Sequence, residues 1–352
     1  MQVQFGCIYK LDTISSLPDG KPLSILDLDD PKCKASITND ISKHDVHIYT
    51  WQALAGGLMG GLVGQASGGE EAYQNRRRDL IEEGRKKSGK GAFLLFEGGL
   101  DIPETNLRFV RSFSDVAFGL DVFDKQIVTA KLEPIVRSVL TATLATLADA
   151  HEPRASLVGR YIIGEYGPLT LHNVQITALA PEVYVSPTMS AEIAAQLPTF
   201  VEVMLKEPFL EKVGRLFAAS LAERDHLRRY LTGWTALEAF VGGSFKHRYS
   251  AYWNKLKMDG LHTEARPLFP DWVKVEEGKY SLADKFAIIA WILNGKNAQA
   301  DLELFRASKK DRDDIAHGDE VNEASLPVND VRNLLQRYLN LHARAVLSPT
   351  DH

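Results

Sequence analysis

At 352 residues, 45% hydrophobic and 25% charged, the chain has the composition of an ordinary soluble globular protein, long enough for two domains. Its formal charge of -5 excludes a bulk basic field, so any contact with nucleic acid has to come from a local patch. Cys7 and Cys33 are too few for a disulfide framework and no basic-apolar-cleavage pattern opens the sequence, so the expected location is cytoplasmic.

In the first 50 residues Val3, Phe5, Cys7 and Tyr9 alternate as a half-buried strand does, ahead of the turn Leu17-Pro18-Asp19-Gly20; a strand and loops are expected after it. Cys7, Cys33, His44 and His47 together hold two thiols and two imidazoles, but the cysteines are not paired at the short spacing of a zinc site. They read as buried thiols and loop histidines, and no metal or cofactor is expected. Gly56, Gly60 and Gly64 recur at four-residue spacing, but a membrane span needs about 20 apolar residues, and this run is shorter and holds Gln52 and Gln65. A buried or mobile glycine-rich segment is the expectation, with membrane insertion the competing reading.

From 70 to 90 the charges alternate at near-helical spacing, the pattern of a solvated helix face; phosphate contact by Arg76, Arg77 and Arg78 is the second reading. Gly89-Lys90-Gly91 lacks the spacing of a phosphate loop. Residues 92–97 read as a buried strand ended by Gly98-Gly99. A helix is expected over 133–150 with Pro134 in its first turn, and β-prone runs over 157–163, 170–179 and 182–185. Residues 1–188 thus read as an α+β domain whose role, sensor or regulatory, the sequence leaves open.

Beyond Ser190 the pattern becomes helical throughout. Ser190 can cap a helix, and Pro198 and Pro208 are expected to break the chain behind that cap. Apolar residues from Val213 to Val241 keep one face over 209–241; further helices are expected around Trp253, from Ser281, from Ala298, and over 331–345 behind Pro327. An all-α bundle of four or five helices over 189–352 is the economical packing.

One stretch carries chemistry: Arg312-Asp313-Asp314-Ile315-Ala316-His317, with Gly318 next. A guanidinium suits phosphate oxygens, and a histidine titrates near neutrality and can move a proton. Asp313 and His317 stand at i and i+4 and share a helix face, so Asp313 could hold one imidazole nitrogen. Arg312 and His317 are about 140° apart on an ideal helix, so either the helix ends near His317 or two copies of the chain complete the site. Arg337 and His342 repeat the spacing inside an amphipathic helix, where it reads as coincidence.

The stretch resembles the R-x4-6-H motif of HEPN domains, the helical domains of many metal-independent ribonucleases; Arg312, Asp313, His317 and Gly318 match the form R-(N/D)-x-x-x-H-G. Trp234-Thr235-Ala236-Leu237-Glu238-Ala239-Phe240 is similar to the "aLE" segment of HEPN domains attached to bacterial defence proteins. The resemblance covers about residues 200–347. It implies a homodimer that cleaves RNA, with His317 as general base on the 2′-hydroxyl, Arg312 stabilising the transition state and Asp313 orienting His317. Lys309 and Lys310 become candidates for RNA backbone contact. The implied role is a toxin or antiviral-defence effector answering a phage or cellular trigger. The alternatives are a non-catalytic HEPN-fold module for dimerisation or RNA binding, and a membrane-active effector.

Overall fold

The computed structural model describes residues 2–12, 14, 16–42, 44, 46–50, 53, 70–88, 91–102, 108–113, 116–120, 125–147, 155–166, 169–176 and 189–347. The chain forms two compact units, one of residues 1–140 with 153–198, the other of 141–152 with 199–352. The expected boundary at 188/189 therefore shifts, and the division falls inside two helices.

The first unit is built on an eight-stranded mixed sheet in the order β2-β3-β4-β1-β7-β8-β6-β5. Its strands are β1 (Gln2–Leu11), β2 (Leu23–Asp29), β3 (Lys32–Thr38), β4 (Ala92–Asp101), β5 (Arg108–Phe113), β6 (Val116–Leu120), β7 (Ala155–Tyr166) and β8 (Leu169–Ile176). β6 and β8 pair parallel, the other neighbours antiparallel. β1 pairs on both edges; its odd residues from Val3 to Leu11 are buried throughout, and its even face, exposed at Gln2 and Gln4, becomes buried at Gly6 and Ile8. Its odd residues Phe5 and Cys7 share a face with Phe96, Gly98 and Arg160, beneath α2 (Lys125–Leu147). The even residue Ile8 packs with Ile41, Ile48, Phe93 and Leu95 on the other. α1 (Glu70–Ser88) carries the alternating charges.

Several expectations give way here. β4 continues through Gly98 and Gly99, and Gly98 lets the sheet approach α2: a Cβ there would stand 3.0 Å from Leu132 Cδ1. α2 begins at Lys125, so Pro134 lies inside the helix rather than in its first turn. The apolar spacing already starts at Ile127 and Val128 and carries the helix through the missing N–H donor. Residues 182–185 and the glycine-rich run 54–69 lie outside the described residues.

The second unit is helical. It holds the end of α3 (Ala191–Lys206), then α4 (Phe209–Ala222), α5 (His226–Ser244), α6 (Ser250–Met258), α7 (Trp272–Glu276), α8 (Leu282–Asn294), α9 (Ala298–His317) and α10 (Val328–Leu347). The Ser190 hydroxyl accepts from the Ile193 N–H, as expected of a cap, and the chain breaks at Pro208 but runs through Pro198. The long face over 209–241 is two helices. Asp225 restarts the chain by accepting from the Arg228 N–H at 2.8 Å, while Arg229 donates back to the Glu223 carbonyl. α5 then passes through a π-helical turn, Phe245–Tyr249, into α6. Around α5 pack α4, α8, α9 and α10. The fully buried Trp234, Phe286, Phe305 and Tyr338 make a continuous aromatic core, with Phe286 and Phe305 stacked at 4.3 Å and Trp234 5.0 Å from Phe305. Among the described residues no helix is long and apolar enough to cross a membrane.

Candidate functional site

α9 enters the core and leaves it. Ala298, Leu302, Phe305 and Ser308 form its buried stripe, and beyond Ser308 no residue of the helix is buried. The stripe gives the first three turns their hydrophobic anchorage, and Tyr230 donates a hydrogen bond to the Ser308 carbonyl where the stripe ends. The last turns, with Lys309, Arg312, Asp313 and His317, are therefore held out along the edge of the bundle. The helix closes at His317. Gly318 takes φ 81°, its N–H bonds the Ile315 carbonyl at 3.1 Å and the Asp319 N–H bonds the Asp314 carbonyl at 3.0 Å, a Schellman ending that needs the left-handed glycine.

Arg312 is fixed by two carboxylates. Its Nη2 donates to Glu238 Oε1 at 3.1 Å and its Nη1 to Asp313 Oδ1 at 2.9 Å. Lys309, one turn earlier, donates to the other oxygen of Asp313. The hydrogen bonds from Lys309 and from Arg312 hold the Asp313 carboxyl below the usual carboxylate range. The expected bond from Asp313 to His317 is absent: the lysine at i−4 and the adjacent arginine are cations, and they take both carboxylate oxygens ahead of the imidazole. His317 is exposed and makes no hydrogen bond or ion pair among the described residues. Lys310 is exposed as well, whereas Lys309 is engaged with Asp313 rather than open to a ligand. Asp311 is pushed up, by burial first and by the like charge of Asp314 second.

Glu238 is the member that sequence reasoning left without a role, although it stands in the segment Trp234–Phe240 of α5. Tyr230, Trp234, Leu237 and Val241 form the buried stripe of that helix, and Glu238 falls beside it at its edge, one turn after Trp234. An acid in that position beside a core tryptophan was the available signal.

The second arginine-histidine spacing has a different fate. His342 has no exposed surface; its Nε2 stands 2.6 Å from Glu207 Oε2 and its Nδ1 2.8 Å from the Tyr249 hydroxyl, among the rings of Phe209 and Phe240. Burial pushes the Tyr249 hydroxyl up, so it remains a phenol. Arg337 donates to the buried Asp301, which also accepts from Tyr338 at 2.8 Å and from Asn294 at 2.7 Å. Both residues of this spacing tie helices together, His342 inside the bundle and Arg337 from its surface.

In the sheet unit Glu97, Gly6 and Tyr161 occupy one row across β4, β1 and β7. The Tyr161 ring crosses Gly6, where a Cβ would come within 2.1 Å of it, and the Tyr161 hydroxyl meets His44 Nδ1 at 2.9 Å. His47 packs on the same ring at 4.8 Å, and burial, with the charges of His44 and Arg77, lowers it from 6.5 to about 4. Both histidines stand in a helical stretch, not in the expected loop. They belong to the face opposite Cys7, whose thiol burial raises to about 12, and Cys33, raised to about 11. No group of three or more metal-ligating side chains occurs among the described residues.

Fold and site together define an α+β protein of two units whose helical unit carries an arginine and a histidine on one exposed helix end. Comparison with protein-family models, with curated proteins and with solved structures gives no match for the chain.

Proposed function

We propose that the chain is a metal-independent endoribonuclease of the HEPN type, acting through Arg312 and His317. The observation that carries the reading is the state of His317: an exposed imidazole with no hydrogen bond or ion pair among the described residues, on the last turn of the helix that presents Arg312. An imidazole with a free nitrogen can take the proton of an RNA 2′-hydroxyl, whose oxygen then attacks the adjacent phosphorus. Arg312 stabilises the charge gathered on the phosphoryl oxygens; the P–O5′ bond breaks, the 5′-oxygen takes a proton from water and leaves as a 5′-hydroxyl, and a 2′,3′-cyclic phosphate remains. Asp313 acts in this scheme on Arg312 and Lys309, which it touches, rather than on His317. The active species is a homodimer with two such helix ends facing one cleft, because groups about 140° apart on one helix converge poorly on one phosphate. A toxin or antiviral-defence role comes from the same resemblance, and the cytoplasmic location from the cysteine usage.

A second reading, a non-catalytic HEPN-fold module for dimerisation or RNA binding, is favoured by one observation: both terminal nitrogens of Arg312 are already held by carboxylates. Incubating the full-length protein with RNA in EDTA separates the two. Cleavage with 2′,3′-cyclic phosphate ends supports the ribonuclease; binding without cleavage supports the module, and cleavage that requires added magnesium or manganese contradicts the proposed chemistry.

A further inference from the structure

We infer that Glu238 is a gate on the phosphate-binding arginine: in the free protein it pairs with Arg312 and competes with an RNA phosphodiester for its charge. This inference rests on the reading of Arg312 as a phosphate ligand. A phosphodiester oxygen approaches a guanidinium along the N–H directions of its fork, as a carboxylate oxygen does. Nη2 already points to Glu238 Oε1 at 3.1 Å and Nη1 to Asp313 Oδ1 at 2.9 Å.

The local charges explain why this pairing acts against RNA. Lys309, Asp313, Arg312 and Glu238 form a chain of alternating sign, two cations and two anions, with no net charge to draw a phosphate in. On the same turns Asp311 and Asp314 outnumber the exposed Lys310, so the surroundings add net negative charge. Two of the five N–H groups of Arg312 are thus committed to carboxylates, and a phosphate has to compete with Glu238 and Asp313 for the guanidinium charge. Of the two, Asp313 is also tied to Lys309, whereas no other partner holds Glu238 among the described residues. Glu238 is the one that yields. Its side chain is 27% exposed and that of Arg312 38%, so the exchange takes place at the surface and needs no opening of the core.

The position of Glu238 is set independently of Arg312. Trp234 and Leu237 fix α5 in the core, Tyr230 binds α5 to the Ser308 carbonyl, and both helices are in register before the first exposed turn of α9. The gate is thus built by the packing of α5 on α9, and loss of the Glu238 charge leaves that packing intact.

Anisotropy of a fluorescent single-stranded RNA tests this on full-length protein, with wild type, Glu238→Gln, Arg312→Ala and the double variant at one fixed low salt. The gate predicts that Glu238→Gln binds about fivefold more tightly, the scale of a partly exposed ion pair no longer competed for. Glu238→Asp should return toward wild type, and Arg312→Ala should weaken binding and erase the gain in the double variant. Equal or weaker binding by Glu238→Gln, with Arg312→Ala still weakening, overturns the gate and makes Glu238 a positioning residue while leaving Arg312 a phosphate ligand. Wild-type binding by Arg312→Ala, or no binding by any variant, overturns the phosphate reading and the gate with it. Melting temperatures within a degree or two of wild type establish that the variants fold; Glu238→Ser replaces Glu238→Gln should the latter fall outside that range.

Discussion

Glu238 Oε1 of α5 stands 3.1 Å from Nη2 of Arg312 on α9. This contact joins the two sequence segments that resemble a HEPN domain, which are separated by 74 positions in the chain. The aromatic packing of Trp234 against Phe305 lies beneath it, so the ionic contact is positioned by the core and not the reverse. Because the pair is partly exposed, it contributes little to stability, on the order of 1 kcal/mol or less. On the proposed reading of Arg312 as a phosphate ligand, its consequence is for binding.

The two arginine-histidine spacings should separate cleanly in stability. His342→Ala removes a buried ring and leaves Glu207 and the Tyr249 hydroxyl without their partner, which should cost about 2–4 kcal/mol. His317→Ala removes an exposed ring and should change stability by no more than about 0.5 kcal/mol. Urea denaturation of both variants checks this. Similar losses in the two would mean that His317 has a structural partner.

Gly6→Ala should destabilise the sheet unit by about 3 kcal/mol, since the new methyl meets the Tyr161 ring at 2.1 Å in the middle of the sheet. Tyr161→Ala in the same chain should recover part of that loss, offset by the broken bond to His44. Thermal denaturation of the single and double variants reads the coupling; strict additivity would contradict a direct clash.

His47 makes the sheet unit acid-sensitive in a defined window. Its folded value, about 4, lies below the ordinary 6.5, so the unfolded chain binds a proton that the folded chain refuses. Stability from this group is complete above pH 6.5, falls between pH 6.5 and 4, and changes no further below. Around the ring stand Tyr161 and His44, with Arg77 adding positive charge and Glu97 3.8 Å from His44. His47→Phe should flatten the dependence of the urea midpoint on pH in that interval. An unchanged slope would show that His47 is not the group responsible.

Much of the helical unit was legible because its determinants are local. The Ser190 and Ser281 caps, the break at Pro208 and the stripes of α8, α9 and α10 all stand in the sequence as spacing. The break at Glu223–Asp225 escaped because α4 and α5 keep similar apolar spacing, and only the Asp225 cap marks the join. β5 and β6 were missed: each is short, and the hairpin they form is tied into the sheet only through β8, a segment distant in the chain. At the site, Arg312, His317 and the helix end at Gly318 were readable. The partners were not. Asp313 had two candidate cations and one candidate imidazole within a turn, and only the folded geometry shows that Lys309 and Arg312 take it. Glu238 reaches Arg312 through tertiary packing, which spacing along one helix does not encode.

The most direct test of the central claim is RNA cleavage in EDTA by wild type, Arg312→Ala and His317→Ala, with the product ends identified. The account predicts 2′,3′-cyclic phosphate ends from wild type and a loss of at least about a hundredfold in rate for each variant, the scale of removing a general base or a transition-state cation. Folded variants that cleave as fast as wild type, or activity that disappears in EDTA and returns with a divalent metal, would contradict it.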